Sequence, residues 1–161
     1  PSADIIIPAD ALPLAGPRGP ANGMDISKLA GTVVDDEDAE IKGKWINGTG
    51  LKNYVQYGYK YAAGGTNASV TFKIKAPKTG RYFIQAFSQA HPNRSTKTPV
   101  TVRHENAENS FTINQRLKSK DDVVNLTELN LKKQDEVIVT IGTEGADGNV
   151  HVDAVRLLEV E

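Results

Sequence analysis

Short segments of alternating apolar and polar residues, separated by turn-forming residues, recur through most of this chain. The segment 69–75 shows the pattern most clearly, with Val70, Phe72 and Ile74 alternating with serine, threonine and lysine. Successive side chains of a strand point to opposite faces, so this pattern predicts half-buried strands. No segment combines apolar residues at helical spacing with capping residues. About eight or nine strands, at a spacing of roughly 8–12 residues, predict an all-β fold, an antiparallel β-sandwich of jelly-roll type.

The predicted strands cover most of the chain after residue 31. Eight segments carry the strand pattern, which are 54–61, 69–75, 81–87, 98–104, 110–114, 123–131, 136–141 and 149–158, and two short apolar segments, 32–34 and 41–46, precede them. The last of them follows the turn signal Asp147-Gly148, and its alternation places Asp153 on one face with Val155 and Leu157. A carboxylate among core aliphatics is costly unless it is bound. The last strand is therefore predicted to be central, with a partner for Asp153.

Composition excludes several classes of function. With 19 basic and 20 acidic residues, the net charge is −1, so no overall field favours nucleic acid or an anionic membrane. The chain has no cysteine, which removes disulfides, zinc–thiolate sites and thiol nucleophiles. No apolar run approaches the roughly 20 residues of a membrane span. Motifs such as the nucleophile elbow, the phosphate loop and His-Glu-x-x-His are also missing from the sequence, which predicts a non-catalytic protein.

Two regions differ in composition. Residues 1–31 contain five prolines and four glycines, which predicts a linker or N-terminal arm, although Ile5-Ile6-Ile7 could add an edge strand. Residues 32–161 carry the strand pattern and are predicted to form the folded module.

Several motifs of the module resemble one family. They are 33–39 (VVDDEDA), 43–45 (GKW), 80–82 (GRY), 93–96 (NRST), 99–104 (PVTVRH), 113–115 (INQ) and 147–156 (DGNVHVDAVR). In this order they resemble the golvesin C-terminal, or xanthan-lyase-type, carbohydrate-binding-like domain. The resemblance implies a galactose-binding-like β-sandwich, usually appended to a larger secreted bacterial protein. It therefore implies a secreted, periplasmic or cell-surface location.

The arm carries a second resemblance. Residues 14–18 (LAGPR) and 24–35 (MDISKLAGTVVD) are similar to the junction that follows FAD-dependent oxidoreductase-like domains in some bacterial proteins with this module, where proline replaces Ala30. The resemblance implies a parent multidomain protein with such a domain N-terminal to this chain.

The acidic run 35–38 (DDED) and Asp153 of the last strand are the best candidates for a metal site. Carboxylates and backbone carbonyls are the ligands that calcium prefers. Many β-sandwich sugar-binding modules hold a structural calcium between an early acidic segment and an aspartate on the last strand, which here implies Asp36, Asp38 and Asp153. Alternatively, Asp153 accepts backbone N–H or arginine hydrogen bonds and the acidic run is only solvated.

Tyrosines and one polar loop are the candidate glycan contacts. Tyr57 and Tyr59 could stack on sugar rings, or they could simply pack in the sheet. The loop around His91, Asn93 and Arg94 connects two strands, where binding residues often lie. Arg94 could grip a carboxylate or hydroxyls, or it could hold the loops together through Asp147 or Asp153.

These observations predict a non-catalytic accessory module that binds polysaccharide at its loop edge or on a concave sheet face. The alternative is a structural or interaction domain that packs on its parent protein or at the cell envelope without glycan affinity. In either case neither nucleic acid nor a membrane span is expected.

Overall fold

The computed structural model describes residues 21–161, which form twelve strands and three single-turn 3₁₀ helices. The helical turns are Ile26–Lys28, Asp36–Asp38 and Lys120–Asp122. The strands are β1 Thr32–Asp35, β2 Glu40–Lys42, β3 Ile46–Gly48, β4 Tyr59–Ala62, β5 Ser69–Lys75, β6 Gly80–Phe87, β7 Thr98–His104, β8 Ala107–Ile113, β9 Val123–Leu131, β10 Glu136–Gly142, β11 Val150–Val152 and β12 Ala154–Glu159.

The strands form three sheets, and their pairings are antiparallel. The orders are β1-β12-β6-β9, β2-β5-β10-β7-β8 and β11-β4-β3. Inward residues of the two larger sheets share one apolar core, to which the small sheet adds Val150 and Val152. The predicted all-β sandwich is confirmed. The last strand is central, since β12 pairs with both β1 and β6.

Clean alternation predicted strands well. The bounds of β5, β7 and β9 coincide with the predicted segments 69–75, 98–104 and 123–131. In β5, Val70, Phe72 and Ile74 have at most 1% of their surface exposed, while Lys73 and Lys75 are exposed.

Three of the segments that the sequence singled out are interrupted. The segment 149–158 divides at Asp153 into β11 and β12, which belong to different sheets. The segment 41–46 divides near Gly43, whose φ of +80° turns the chain from one sheet to another. In 54–61 only the end is strand, because Gln56 and Gly58 have positive φ values and bend the chain into a loop.

Part of the predicted arm lies against the sandwich. The backbones of Gly23 and Met24 exchange three hydrogen bonds with those of Tyr54 and Gln56, at 2.7–3.0 Å. Met24, Ile26 and Leu29 pack on a second apolar cluster of Val55, Phe87 and Ala154. We call residues 23–31 the strap. The rest of the predicted arm, including Ile5-Ile6-Ile7, lies outside the described residues.

Candidate functional site

Three buried carboxylates meet where the sheets join. Asp35 ends β1, Asp36 begins the next helical turn, and Asp153 separates β11 from β12. The β1–β12 pairing and a 2.9 Å hydrogen bond from the Asp36 amide to the Asp153 carbonyl bring these two segments of the chain together. Each residue contributes an oxygen that lies within 4.8 Å of the others, and none of the three is more than 1% exposed. We call these residues the carboxylate cluster.

The cluster concentrates negative charge in the interior. Lys60 lies with its Nζ 3.0 Å from Asp36 Oδ2 and also donates to Asn47 Oδ1. Burial, reinforced by the charge of Asp36, raises the pKa of Asp35 to about 9. The pKa of Asp153 is likewise raised well above its usual range, by burial first and then by Asp36. A lysine balances one of three negative charges, so the fully ionised cluster would carry an excess of two.

The cluster fits a hard divalent cation. Asp35 Oδ1 and Asp153 Oδ1 are buried without a hydrogen-bond partner, which is uncommon for buried polar atoms. Carboxylate oxygens are the ligand type that calcium takes, and a divalent charge would offset the excess. Asp38 is exposed and outside the cluster, so the structure replaces it with Asp35 in the predicted set.

The cluster also anchors the loop 53–58. Asp153 Oδ2 accepts a 2.9 Å hydrogen bond from the Val55 amide, and Asp35 Oδ2 accepts one from Gln56 Nε2 at 3.3 Å. Gln56 and Asn53 both have left-handed backbone conformations, which cost energy and persist only where the surrounding structure imposes them. Carboxylates and strap therefore clamp the loop from two sides.

A buried hydrogen-bond chain connects the cluster to the predicted glycan-binding loop. Arg94 Nε can only donate, so His151 Nδ1, 3.1 Å away, is the acceptor. His151 Nε2 then carries the proton and donates to Gln89 Oε1 at 2.7 Å, and Gln89 Nε2 donates to Asp153 Oδ2 at 3.0 Å. Burial, then the neighbouring Arg94 charge, lowers the pKa of His151 well below its usual value, so the ring is neutral. One consistent assignment of donors and acceptors satisfies every hydrogen bond from Arg94 to Asp153.

Arg94 and Tyr59 form the base of the loop rather than its surface. Arg94 is 3% exposed and Tyr59 is 1% exposed. The guanidinium carbon lies 4.9 Å from the ring centre of Tyr61 and 5.7 Å from that of Tyr59, within cation–π range. The Tyr59 ring also packs on His151, with the ring centres 4.4 Å apart. This burial favours the alternatives that Tyr59 packs in the sheet and that Arg94 holds the loops together, over direct contact of either residue with a polymer.

The outward side chains of the loops 91–97 and 53–58, together with Tyr61, are the candidate contact surface, which we call the loop edge. Asn93 is exposed, and its Oδ1 accepts a 2.9 Å hydrogen bond from Arg94 Nη1. His91 is half-buried, and its Nδ1 accepts from the Asn93 amide at 3.1 Å. Tyr57 and Tyr61 are also half-buried. Around Arg94, the amide of Asn93, the imidazole of His91 and the phenol of Tyr61 could together bind hydroxyls and pack on a sugar ring.

Asp147 fastens the same loop from the other side. It accepts hydrogen bonds from the Ser95 hydroxyl at 2.9 Å, the Thr96 amide at 2.7 Å and the Thr96 hydroxyl. These bonds, led by that of the Thr96 hydroxyl, lower the pKa of Asp147 well below its usual range. Asp147 thus holds the loop together through Ser95 and Thr96, while Arg94 donates to His151 and Asn93.

Sequence reasoning missed several members of this site. His151 lies inside a recognised motif, close to Asp153, and that proximity was an available signal. Asp35 and Tyr61 belong to the acidic run and the tyrosine-rich segment that the sequence singled out, although neither was among the final candidates. Gln89 offered no signal, because a lone glutamine after a strand has many ordinary roles.

In the part of the chain that the structure describes, no helix is long and apolar enough to cross a membrane.

Comparison with solved structures agrees with the fold. The chain is similar to a Paenibacillus xanthan lyase, with a TM-score of 0.71 and 27% identity over 80% of this chain. It spans only 13% of that enzyme's length. It also matches two family 35 carbohydrate-binding modules over their whole length at 16% identity. The one from Clostridium thermocellum has a TM-score of 0.55 over 82% of this chain, and the one from Paenibacillus barcinonensis has 0.54 over 81%. These two likenesses establish the jelly-roll fold.

No curated protein matches the chain significantly in sequence. The family model of the Golvesin C-terminal domain matches residues 32–159, which include the carboxylate cluster and the loop edge. The chain therefore belongs to the Golvesin C-terminal domain family.

Proposed function

We propose that this module binds polysaccharide without catalysing a reaction on it, and that it keeps a larger parent protein near that polymer. The observation that carries the proposal is the fold likeness to isolated modules, named as carbohydrate-binding, that align along their entire length. The 13% coverage of the xanthan lyase is consistent with an accessory part of a longer chain. The parent is proposed to be extracellular and to carry an FAD-dependent oxidoreductase-like domain N-terminal to the module.

The loop edge is a suitable contact surface. Asn93, His91 and Tyr61 have exposed or half-exposed side chains around Arg94, which donates a hydrogen bond to His151 beneath them. Tyr57, in the loop 53–58, is a further half-exposed candidate. Rigid support of this kind reduces the entropy lost on binding. The perturbed carboxylates Asp35 and Asp153 are at most 1% exposed, so a polymer would not reach them. Their burial supports a non-catalytic role.

We assign the carboxylate cluster to a structural calcium. Asp35, Asp36 and Asp153 would hold the ion, which would neutralise the excess charge and stabilise the loop 53–58 through Val55 and Gln56.

Native affinity electrophoresis through gels that contain bacterial, algal or plant polysaccharides tests the function. We expect retardation by at least one polymer, and weaker retardation of the Tyr61→Ala and Asn93→Ala variants. Asn109→Ala is the matched control, because Asn109 is an exposed residue of β8 away from the loop. Absence of retardation by every polymer would favour the structural or docking role.

Large apolar side chains exposed among residues 21–161 are Ile41 and Leu117, which are isolated in sequence and offer little to a docking partner.

A further inference from the structure

The outward face of the five-stranded sheet forms a shallow polar groove. The depression, of about 420 Å³, is lined by residues from all five strands of this sheet. Its floor consists of Thr71, Thr101, Ile138 and Thr140, which are half-buried. The surrounding charged side chains are exposed, so they form walls above the floor. We call this depression the sheet groove.

The floor presents hydroxyls in a row. Thr71 is the register partner of Thr140, and Thr140 is the partner of Thr101, so the three side chains lie side by side across β5, β10 and β7. Ser110 of β8, the partner of Thr101, extends the row. The hydroxyl oxygens are 3.2 Å apart in the pair Thr71–Thr140 and again in the pair Thr101–Ser110. Each such pair keeps one O–H donor and several acceptor lone pairs for a ligand.

The walls of the sheet groove carry no net charge. They contain three cationic and three anionic side chains, all exposed: Lys42, Lys73, Arg103, Glu40, Glu108 and Glu136. A polyanion or a polycation would meet as much repulsion as attraction there. Both signs of charge can, however, hydrogen-bond the hydroxyl groups of a neutral chain. The lining therefore matches a neutral, hydroxyl-rich ligand.

The dimensions match an extended polymer. The four strands that carry the hydroxyl row, at spacings of about 4.8 Å, make the row roughly 14 Å long, and all five strands of the sheet span roughly 19 Å. Each strand spacing is close to the length of one pyranose unit, so an extended chain across the strands would place successive sugars over successive strands. Ile138, beside the hydroxyl row, offers an apolar surface for sugar C–H groups.

We propose that the sheet groove is a second binding surface of the module, for an extended neutral polysaccharide that lies across the strands. This rests on the proposed polysaccharide binding and adds a location and a ligand class to it. The groove is separate from the loop edge, since its lining includes no residue of the loop 91–97 and none of the loop 53–58.

The test removes the hydroxyls and keeps the shape. The triple substitution Thr71→Val, Thr101→Val and Thr140→Val retains β-branched side chains of similar volume. Thr112→Val is the control, because Thr112 is an exposed β8 residue on the same face that does not line the groove. Both variants and Asn93→Ala are compared with the natural chain in gels containing hydroxyethyl cellulose, glucomannan, dextran, xanthan or alginate, after thermal melts confirm that each is folded.

We expect the triple variant to bind a neutral polymer at least about tenfold more weakly, as the loss of three hydrogen bonds of modest strength predicts. The Thr112→Val control should match the natural chain. Equal retardation of the natural chain and the triple variant would overturn the sheet groove as a glycan-binding surface and leave polysaccharide binding intact. The groove would then be free to contact a protein instead. Retardation by acidic polymers alone would overturn the neutral ligand class. If no polymer retards the natural chain, the proposed function fails and the groove proposal with it.

Discussion

The interior of this module has two regions with opposite chemistry. Between the two larger sheets, the core is aliphatic and aromatic, with Phe72, Ile84, Val137 and Val139 fully buried. Beside the small sheet β11-β4-β3, the interior holds Asp35, Asp36, Lys60, Gln89, Arg94, Gln115, Asp122, His151 and Asp153. Apolar burial contributes stability that does not depend on ions or pH. Buried charges contribute stability only when they are balanced. The polar region is therefore where ions and pH should act.

The largest expected effect comes from the apolar region. Phe72→Ala should lower the free energy of unfolding by about 3–5 kcal/mol, because it removes buried surface and leaves a cavity. Urea unfolding measures the loss, which should be the same with calcium and with chelator. Lys75→Ala, on the exposed face of the same strand, should change it by no more than about 0.5 kcal/mol. A calcium-dependent loss for Phe72→Ala would mean that the two regions are not separable.

Calcium should stabilise the polar region. At a concentration 100 times the dissociation constant, binding to the folded state alone adds about 2.7 kcal/mol, or roughly 5–10 °C in the melting temperature. Differential scanning calorimetry in calcium and in chelator measures the shift. Asp153→Asn should abolish it, whereas Asp38→Asn should keep it, since Asp38 is exposed and outside the carboxylate cluster. An unshifted melting temperature in the natural chain would remove the assigned calcium.

The strap should depend on a close backbone approach. A Cβ atom on Gly23 would lie 2.4 Å from the Tyr54 carbonyl oxygen and 2.7 Å from that of Gln56. Gly23→Ala should therefore cost about 1–3 kcal/mol, in the range of overpacked sites, and expose the strap to protease. Limited proteolysis and thermal melts measure both effects. Gly80→Ala is the control, because its nearest neighbour would be 3.8 Å away. Equal cleavage of the two variants would show that the strap does not need this contact.

The pH dependence of the chelated protein should reveal the uncompensated carboxylates. The pKa of Asp35 is about 9 when folded and near 3.8 when unfolded, so between these values the folded state binds more protons. Stability should therefore fall as pH rises through this window, by at least about 1.4 kcal/mol, the equivalent of one pKa unit.

Urea unfolding in chelator between pH 5 and pH 9 measures this slope. Asp35→Asn, which keeps an acceptor for Gln56, should flatten it. A slope of opposite sign, or one unchanged in this variant, would contradict the assignment to Asp35.

Sequence patterns predicted the regular parts of the fold and missed its junctions. In β5, β7 and β9 the alternation of side chains is set by burial on one face, so local pattern and tertiary structure agree. At Gly43 and Asp153 the chain leaves one sheet for another, and at Gln56 it bends within the loop that connects β3 to β4. Polarity alone carries no signal for either change. The same junctions hold the candidate site. For this reason the sequence did not decide which carboxylates of the acidic run meet Asp153, nor whether Tyr59 and Arg94 are buried.

The sequence by itself determined the all-β sandwich, the family and the presence of a buried aspartate in the segment 149–158. These follow from side-chain periodicity and from motifs contained in short segments. Only the tertiary structure decided which groups meet. The Val55 amide and Asp153 are 98 residues apart along the chain, and Arg94 and His151 are 57 apart. Such pairs depend on sheet register and on loop conformation, which no local pattern encodes. The physical reason is that strand formation responds to neighbouring residues, whereas the balance of buried charge is set by the whole fold.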